Sequence, residues 1–386
     1  MALSLVNATL VLRDRELPRA RLDIEDAKIA RIVTERNQAE TGAALDLAGA
    51  KLIPGFIDVH IHGAVGHDVM TATPDQLNEV SRFLASQGVT GWLPTFVPAA
   101  DEEYQAAVAA IEKALDGGGA RIAGLHYEGP FVNSAQCGAL HTEYFKTYDS
   151  PTVLDLLPVP QNSAAVKLIT LAPEIDGGIA LIKELQQRGW VISIGHTRAN
   201  ESILDEAATA GARHMTHFMN AMPQLHHRQP GPVGWGLSRD DVTCDVIADG
   251  IHLHPLTLRV LMKAKGSGGL SLISDAIAAA GKGDGDYQIW GETIAVKDGR
   301  TSNAKGSIAG SVITMLDAVK MMRSLGATDT EIARMASTNP ARLLRLDHEC
   351  GAIEVGKRAD LVALDEQGNV RLTIVGGKIV FQRTAR

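Results

Sequence analysis

Eight short apolar runs, separated mostly by stretches of helical periodicity, fill residues 54–349 of this chain. The runs lie in G-F-I-D-V-H-I-H, V-T-G-W-L-P-T-F, R-I-A-G-L-H-Y-E-G-P, V-K-L-I-T-L-A-P-E, W-V-I-S-I-G-H-T, R-H-M-T-H-F-M-N, V-T-C-D-V-I-A-D-G and S-L-I-S-D-A-I. Each has the length of a buried strand, and segments such as P-D-Q-L-N-E-V-S-R-F-L-A-S-Q-G, E-E-Y-Q-A-A-V-A-A-I-E-K-A-L and P-L-T-L-R-V-L-M-K-A-K have the spacing of amphipathic helices. Eight strands alternating with helices is the count of a (β/α)8 barrel. The prediction is an α/β fold with a TIM-like barrel over 54–349. The link between H-F-M-N and V-T-C-D-V is loop-rich, so that repeat should be the least regular.

Both chain ends break the pattern. L-S-L-V-N-A-T-L-V-L, A-R-L-D-I-E-D-A-K-I-A-R-I-V and A-L-D-L-A-G-A-K-L-I-P alternate with period two, as do G-K-R-A-D-L-V-A-L-D, N-V-R-L-T-I-V and G-G-K-I-V-F-Q-R near the C-terminus. Neither group has enough strands to stand alone. They are expected to pair as one small β-sandwich domain built from 1–53 and 350–386.

Charge and composition exclude several functions. A net charge of −8 with no basic tract removes nucleic acid as a partner. A small anionic substrate stays compatible, since a few local cations can outweigh the net balance. No run reaches about 18 apolar residues, so no membrane span or membrane partner is expected. The N-terminal M-A-L-S-L-V-N-A-T-L-V-L lacks a basic leader region and reads as a strand. Three cysteines (Cys137, Cys244, Cys350) without a C-x-x-C give neither a disulfide framework nor a thiolate zinc site, and fit a cytoplasmic location.

The thirteen histidines matter through their placement. Most predicted strands end in a polar or ionisable residue: His60 and His62, Thr95, Glu128, Glu174, His196, His217 and Asn220, Asp249 and His252, and Asp275. In such a barrel the C-terminal strand ends meet at one catalytic mouth. His60 and His62 sit two apart and share one strand face. They are either two hydrogen-bonded core histidines or a metal-binding pair. Glu128 is a metal ligand or a loop anchor. His196 and His217 taken singly read as satisfied core residues. Jointly, two His and one Glu with an open position compose a catalytic, zinc-like site. Asp275 could ligate metal, act as a general base, or do both. The chemistry this suits is hydrolysis, since a divalent cation lowers the pKa of water to about 7 and a nearby carboxylate can carry the proton. No G-x-S-x-G elbow offers a nucleophile. The loop A-M-P-Q-L-H-H-R-Q-P-G gathers His226, His227 and Arg228, which composition alone reads as solvated surface. The Gly-rich D-A-I-A-A-A-G-K-G and S-I-A-G-S read as mobile mouth loops.

With these motifs together, the chain resembles the N-acetylglucosamine-6-phosphate deacetylases of the amidohydrolase superfamily. The resemblance runs through P-G-F-I-D-V-H-I-H-G, H-Y-E-G-P-F, G-H-T, H-F-M-N-A-M-P, R-Q-P-G, A-D-G-I-H, S-D-A and A-G-S-x-x-T-M. It implies Glu128, His196 and His217 as primary metal ligands and Asp275 as catalytic acid/base. His141 is implied as the group polarising the acetamide carbonyl, although the family's G-A-H is here C-G-A-L-H, one residue longer. Asn220, Ala221, Arg228, His252 and Ala139 are implied as substrate contacts, which reverses the compositional reading of the Arg228 loop. Some members replace the H-x-H pair with amides and hold one metal. Because His60 and His62 are retained here, one or two divalent ions per subunit are expected, zinc first, with iron, cobalt, nickel or manganese as alternatives. The resemblance further implies a homodimer in which Arg228 reaches the neighbouring site, and a phosphorylated amino sugar as substrate. Galactosamine-type phosphates, or D-aminoacyl and dihydroorotase-like chemistry, are the alternatives. Dihydroorotase-like sites usually place a carboxylated lysine where this chain has Glu128.

Overall fold

The structure, a computed structural model, describes residues 3–34, 44–114, 117–162 and 164–383. Eight parallel strands surround one axis: β1 (Phe56–Ile61), β2 (Val89–Phe96), β3 (Gly124–Glu128), β4 (Val166–Leu171), β5 (Val191–Ile194), β6 (His214–Met215), β7 (Thr243–Ile247) and β8 (Leu270–Ile273). All eight fall in the apolar runs expected from sequence. Each pairs in parallel with the next. Two backbone bonds bring the ends of the ring together, Asp275 N–H to His60 O at 2.9 Å and His62 N–H to Ala276 O at 2.8 Å. Strands buried on both faces read as near-continuous apolar runs rather than alternating ones, and every residue of β1, β2, β3, β5 and β8 is buried.

Helices pack outside. α1 (Pro74–Ser86) opens on a Thr73/Gln76 capping box with Pro74 in its first turn, and buries Leu77, Val80 and Leu84. α2 (Asp101–Ala114), α3 (Gly178–Gln187) and α4 (Glu201–Thr209) follow the same logic of one buried stripe each. Next comes a departure. G-P-V-G-W-G-L-S, within the loop-rich link, forms α5 (Gly231–Ser238). Three glycines and a proline hide it from a propensity argument. Tertiary packing makes it, because Pro232, Val233 and Trp235 are buried and the Trp235 indole donates to Asp205 at 2.9 Å. α6 (Pro255–Lys265) and α7 (Met315–Ser324) complete the layer that positions the site.

A second departure follows β8. Of the Ala-rich segment expected to be a mobile loop, residues 275–280 are buried, and their carbonyls accept bonds from Val65 N–H (2.8 Å, Ala280) and Gly66 N–H (2.7 Å, Ala278), while residues 281–283 are exposed. After it stands an antiparallel meander, β9 (Gly285–Ile289), β10 (Glu292–Lys297) and β11 (Arg300–Ser302). Ile277, Ala278 and Ala279 pack on Ile289, Ile294 and Val296, so small side chains here mark close packing rather than freedom.

Both chain ends share one hydrogen-bonded sheet of eight strands. Leu361–Leu364 runs antiparallel to Lys51–Pro54, which lies beside Leu3–Val11. At the far edge, the turn at Ala27–Ile29 bonds back to Lys357 and Ala359, so the sheet returns on its own core of Leu5, Leu22, Leu52, Leu361 and Ile374. Residues 1–2, 35–43 and 384–386 of this expected domain lie outside the described residues. Among the described residues, no helix is long and apolar enough to cross a membrane.

Candidate metal centre

The strand ends deliver their side chains to one mouth, but only some of them reach its centre. His60 and His62 come from the end of β1, Glu128 ends β3, and His196, His217 and Asp275 follow β5, β6 and β8. They form two trios, His60/His62/Asp275 and Glu128/His196/His217, and within each the candidate ligand atoms lie within 4.8 Å of one another. Glu128 Oε1 is 2.9 Å from both His196 Nε2 and His217 Nε2, and 3.6 Å from His60 Nε2. Its Oε2 is 3.4 Å from His62 Nε2. Glu128 therefore stands between the trios. Asp275 Oδ1 is 3.2 Å from His62 Nε2 and 3.4 Å from His60 Nε2.

Local backbone shows how the chain is bent to make this possible. His196, His217 and Asp275 have φ of 48°, 31° and 50°. Left-handed backbone costs a side-chain-bearing residue about 1–2 kcal/mol and survives where the surroundings over-determine it, typically at functional sites. Gly195 makes room for the first of these turns, since a Cβ there would stand 2.6 Å from Thr170 Cγ2.

The donor set fits a divalent cation of the zinc type. His62 and His196 donate their Nδ1–H to the backbone carbonyls of Thr95 (3.0 Å) and Gln136 (2.8 Å), which turns Nε2 inward, where it would offer its lone pair to a cation. The Nε2 atoms of His60 and His62 stand 3.1 Å apart, as do those of His196 and His217. Ring nitrogens facing each other at that distance must share either a proton or a cation, and imidazole with carboxylate suits zinc and its first-row neighbours.

Electrostatics agree. Burial works to raise the Glu128 pKa, yet His60 and the hydrogen bonds from His196 and His217 hold it well below the usual range. Asp275 is lowered as well: burial opposes this, but His60 and His62 prevail. Burial would depress His62, but Asp275 and Glu128 raise it to about 9. The cluster without a cation thus carries proton charge that metal binding would displace. Beneath it, Asp58 accepts from Ser274 Oγ at 2.6 Å and holds the β1 and β8 ends in register, with its carboxyl pushed up to about 6 by burial.

Other strand-end residues brace rather than bind. Thr95 Oγ1 accepts from Ile61 N–H at 2.9 Å. Glu174 accepts from Asn133, Thr197 and the Arg198 backbone at 2.8, 2.6 and 2.6 Å. Asp249 takes the Nδ1 side of His252 at 2.6 Å and fixes that ring.

A cavity of about 360 Å³ opens over the trios, lined also by Ala139, Asn220, Ala221 and His252. These four therefore face the metal donors. His141 and Arg228 do not line it. His141 pairs with Glu143 at 3.2 Å and lines a neighbouring cavity. Arg228 is exposed and donates to His227 at 2.9 Å. Sequence reasoning missed three apolar walls of the cavity, Leu140, Ile308 and Trp290. Only the meander places Trp290, and the sole signal for it was an aromatic residue in a polar, Gly-rich stretch.

Residues 52–380 match the model of the amidohydrolase family. The N-acetylglucosamine-6-phosphate deacetylase of Bacillus subtilis (strain 168) is 36% identical over 98% of this chain and 97% of its own length. Among solved structures, the N-acetylglucosamine-6-phosphate deacetylase of Pasteurella multocida superposes with a TM-score of 0.91 at 31% identity, over 98% of this chain and 99% of that one. A variant of the Mycobacterium smegmatis enzyme of that name, in complex with N-acetyl-D-glucosamine-6-phosphate, gives a TM-score of 0.88 at 30% identity, again over 98% and 99%. Family model, relatives and barrel geometry agree: the chain belongs to the amidohydrolase family, in its N-acetylglucosamine-6-phosphate deacetylase branch.

Proposed function

We propose that this protein hydrolyses the acetamide of N-acetylglucosamine 6-phosphate to glucosamine 6-phosphate and acetate, a step of amino-sugar catabolism or recycling. The observation that carries the reading is a single cavity in which two His/carboxylate trios face Asn220, Ala221 and His252. Glu128, His196 and His217 would hold the primary ion, and His60, His62 and Asp275 a second, with Glu128 shared. Zinc fits this set best. When bound, such a cation supplies Lewis-acid activation of water and of the acetamide carbonyl.

The chain's own groups do the rest. Asp275 is held ionised by its histidine neighbours, so its carboxylate can take a proton from the attacking water. It then returns that proton to the nitrogen as the C–N bond breaks. His252, oriented by Asp249, and Asn220 present polar atoms to the sugar-phosphate end of the cavity. Asn220 is itself anchored by a 3.1 Å bond to the His217 carbonyl, which ties sugar position to the metal ligand.

For Arg228 the reading needs a partner. Exposed on its own subunit, it is assigned to the phosphate in the site of a second copy, where its forked donors suit that group. Arg228→Ala should raise KM for the phosphorylated sugar far more than for the unphosphorylated one. Equal effects on both would remove the assignment. His141 is proposed as the carbonyl-polarising group, which requires the 137–141 segment to turn inward over the substrate. His141→Ala should lower kcat at least about 10²-fold, the scale of losing one oxyanion donor. An unchanged kcat would exclude it.

A further inference from the structure

The cavity over the metal donors has a neighbour of about 540 Å³ with a mixed lining, Met70, Val97 and Ile289 on the one hand and Asp68, Glu103 and Gln288 on the other. Trp290 is the one residue lining both. Beside it the 137–141 segment divides, with Leu140 facing the metal-side cavity and His141 the other. Trp290 sits in the β9–β10 turn with φ 52°. There it meets the His62 ring edge-to-face, with centroids 5.2 Å apart and planes at 87°. That contact holds the indole against the ligand from the end of β1. It is a partition between the cavity over the metal donors and the second space beside it.

The direction of the substrate follows from the same lining. Asn220, Ala221 and His252 come from the ends of β6 and β7. Leu140, after β3, and Trp290, resting on the β1 histidine, stand across the barrel mouth from them. A sugar held on the polar side, with its amide over the metal donors, aims its acyl group at this apolar wall.

We infer that Trp290 is the specificity-determining residue for acyl length, limiting the enzyme to short N-acyl groups. The inference rests on the amide hydrolysis proposed above, in which water adds its OH to the acyl carbon and its proton to the leaving amine. With a longer acyl group the same bonds break and form, and only the tail must be housed. The indole blocks that tail from the 540 Å³ space behind it. One methylene in or out of a fitted pocket changes kcat/KM by roughly 10- to 200-fold.

The test compares kcat/KM for N-acetyl- and N-butyrylglucosamine 6-phosphate in the wild type, Trp290→Ala and Trp290→Phe, with metal content measured for each. The acetyl-over-butyryl preference should fall at least about tenfold in Trp290→Ala and less in Trp290→Phe, mainly by a gain on the butyryl substrate. Trp290→Phe keeps an aromatic edge against His62, so it carries the test should the alanine variant lose metal or fold. A preference unmoved in every metal-loaded variant overturns the inference and leaves the hydrolysis itself standing. A wild type that releases no acid from either substrate overturns both.

Discussion

Asp275→Asn should lower kcat by roughly 10²- to 10⁴-fold, the range supplied by a positioned acid/base, while the barrel stays folded. An amide is isosteric with the carboxyl group but cannot accept and return a proton. The folded state should tolerate it because the backbone at this position is fixed independently, by Asp275 N–H to His60 O at 2.9 Å and Ser311 N–H to Asp275 O at 2.7 Å. KM for the phosphorylated sugar should move little, since the groups assigned to the sugar lie on β6 and β7. The check is steady-state kinetics with far-UV circular dichroism and metal analysis of the same preparation. Activity within a few-fold of wild type would remove Asp275 from the proton path. Loss of the primary ion along with activity would make it a ligand first and a proton carrier second.

The second large effect is expected at Glu128. Its carboxylate touches both trios, Oε1 reaching His196, His217 and His60 and Oε2 reaching His62. Glu128→Gln removes the negative charge that offsets four converging imidazoles and replaces one acceptor with an amide donor. Loss of an outer-shell partner typically weakens metal binding 10- to 100-fold. Loss of the central carboxylate should exceed about 100-fold and take activity with it. Equilibrium dialysis followed by elemental analysis reads the first effect and acetate release the second. Wild-type metal content in Glu128→Gln would contradict the site as drawn.

The barrel was legible because eight apolar runs alternate with amphipathic stretches, and that pattern survives without knowledge of contacts. The trios were legible for a related reason: strand ends converge whatever their sequence separation, so His60, Glu128, His196, His217 and Asp275 could be gathered before any distance was known. What stayed hidden depends on tertiary context. α5 forms from a Gly/Pro-rich segment because Trp235 and Val233 are buried, and no local preference reports that. The alanines after β8 read as a free loop, whereas the meander packs on them and carries Trp290 into the cavity. Strand-end polarity also overcounted the site. Thr95, Glu174 and Asp249 have the same positional signature as the ligands, yet their oxygens are committed to neighbouring backbone and side chains. His141 and Arg228 show the limit of motif transfer. Both belong to segments that follow barrel strands, and neither lines the cavity over the trios.

The central claim is that hydrolysis of a phosphorylated N-acetylhexosamine depends on a metal held by these trios. It is tested most directly by acetate release from the 6-phosphates of N-acetylglucosamine, N-acetylgalactosamine and N-acetylmannosamine. The enzyme should be assayed with its metal content known, before and after chelation, and again after zinc is restored. The account predicts acetate release with preference for the glucosamine form, in proportion to bound metal, lost on chelation and recovered with zinc. Undiminished release by metal-free protein, or none from any of the three sugars with metal in place, would contradict it.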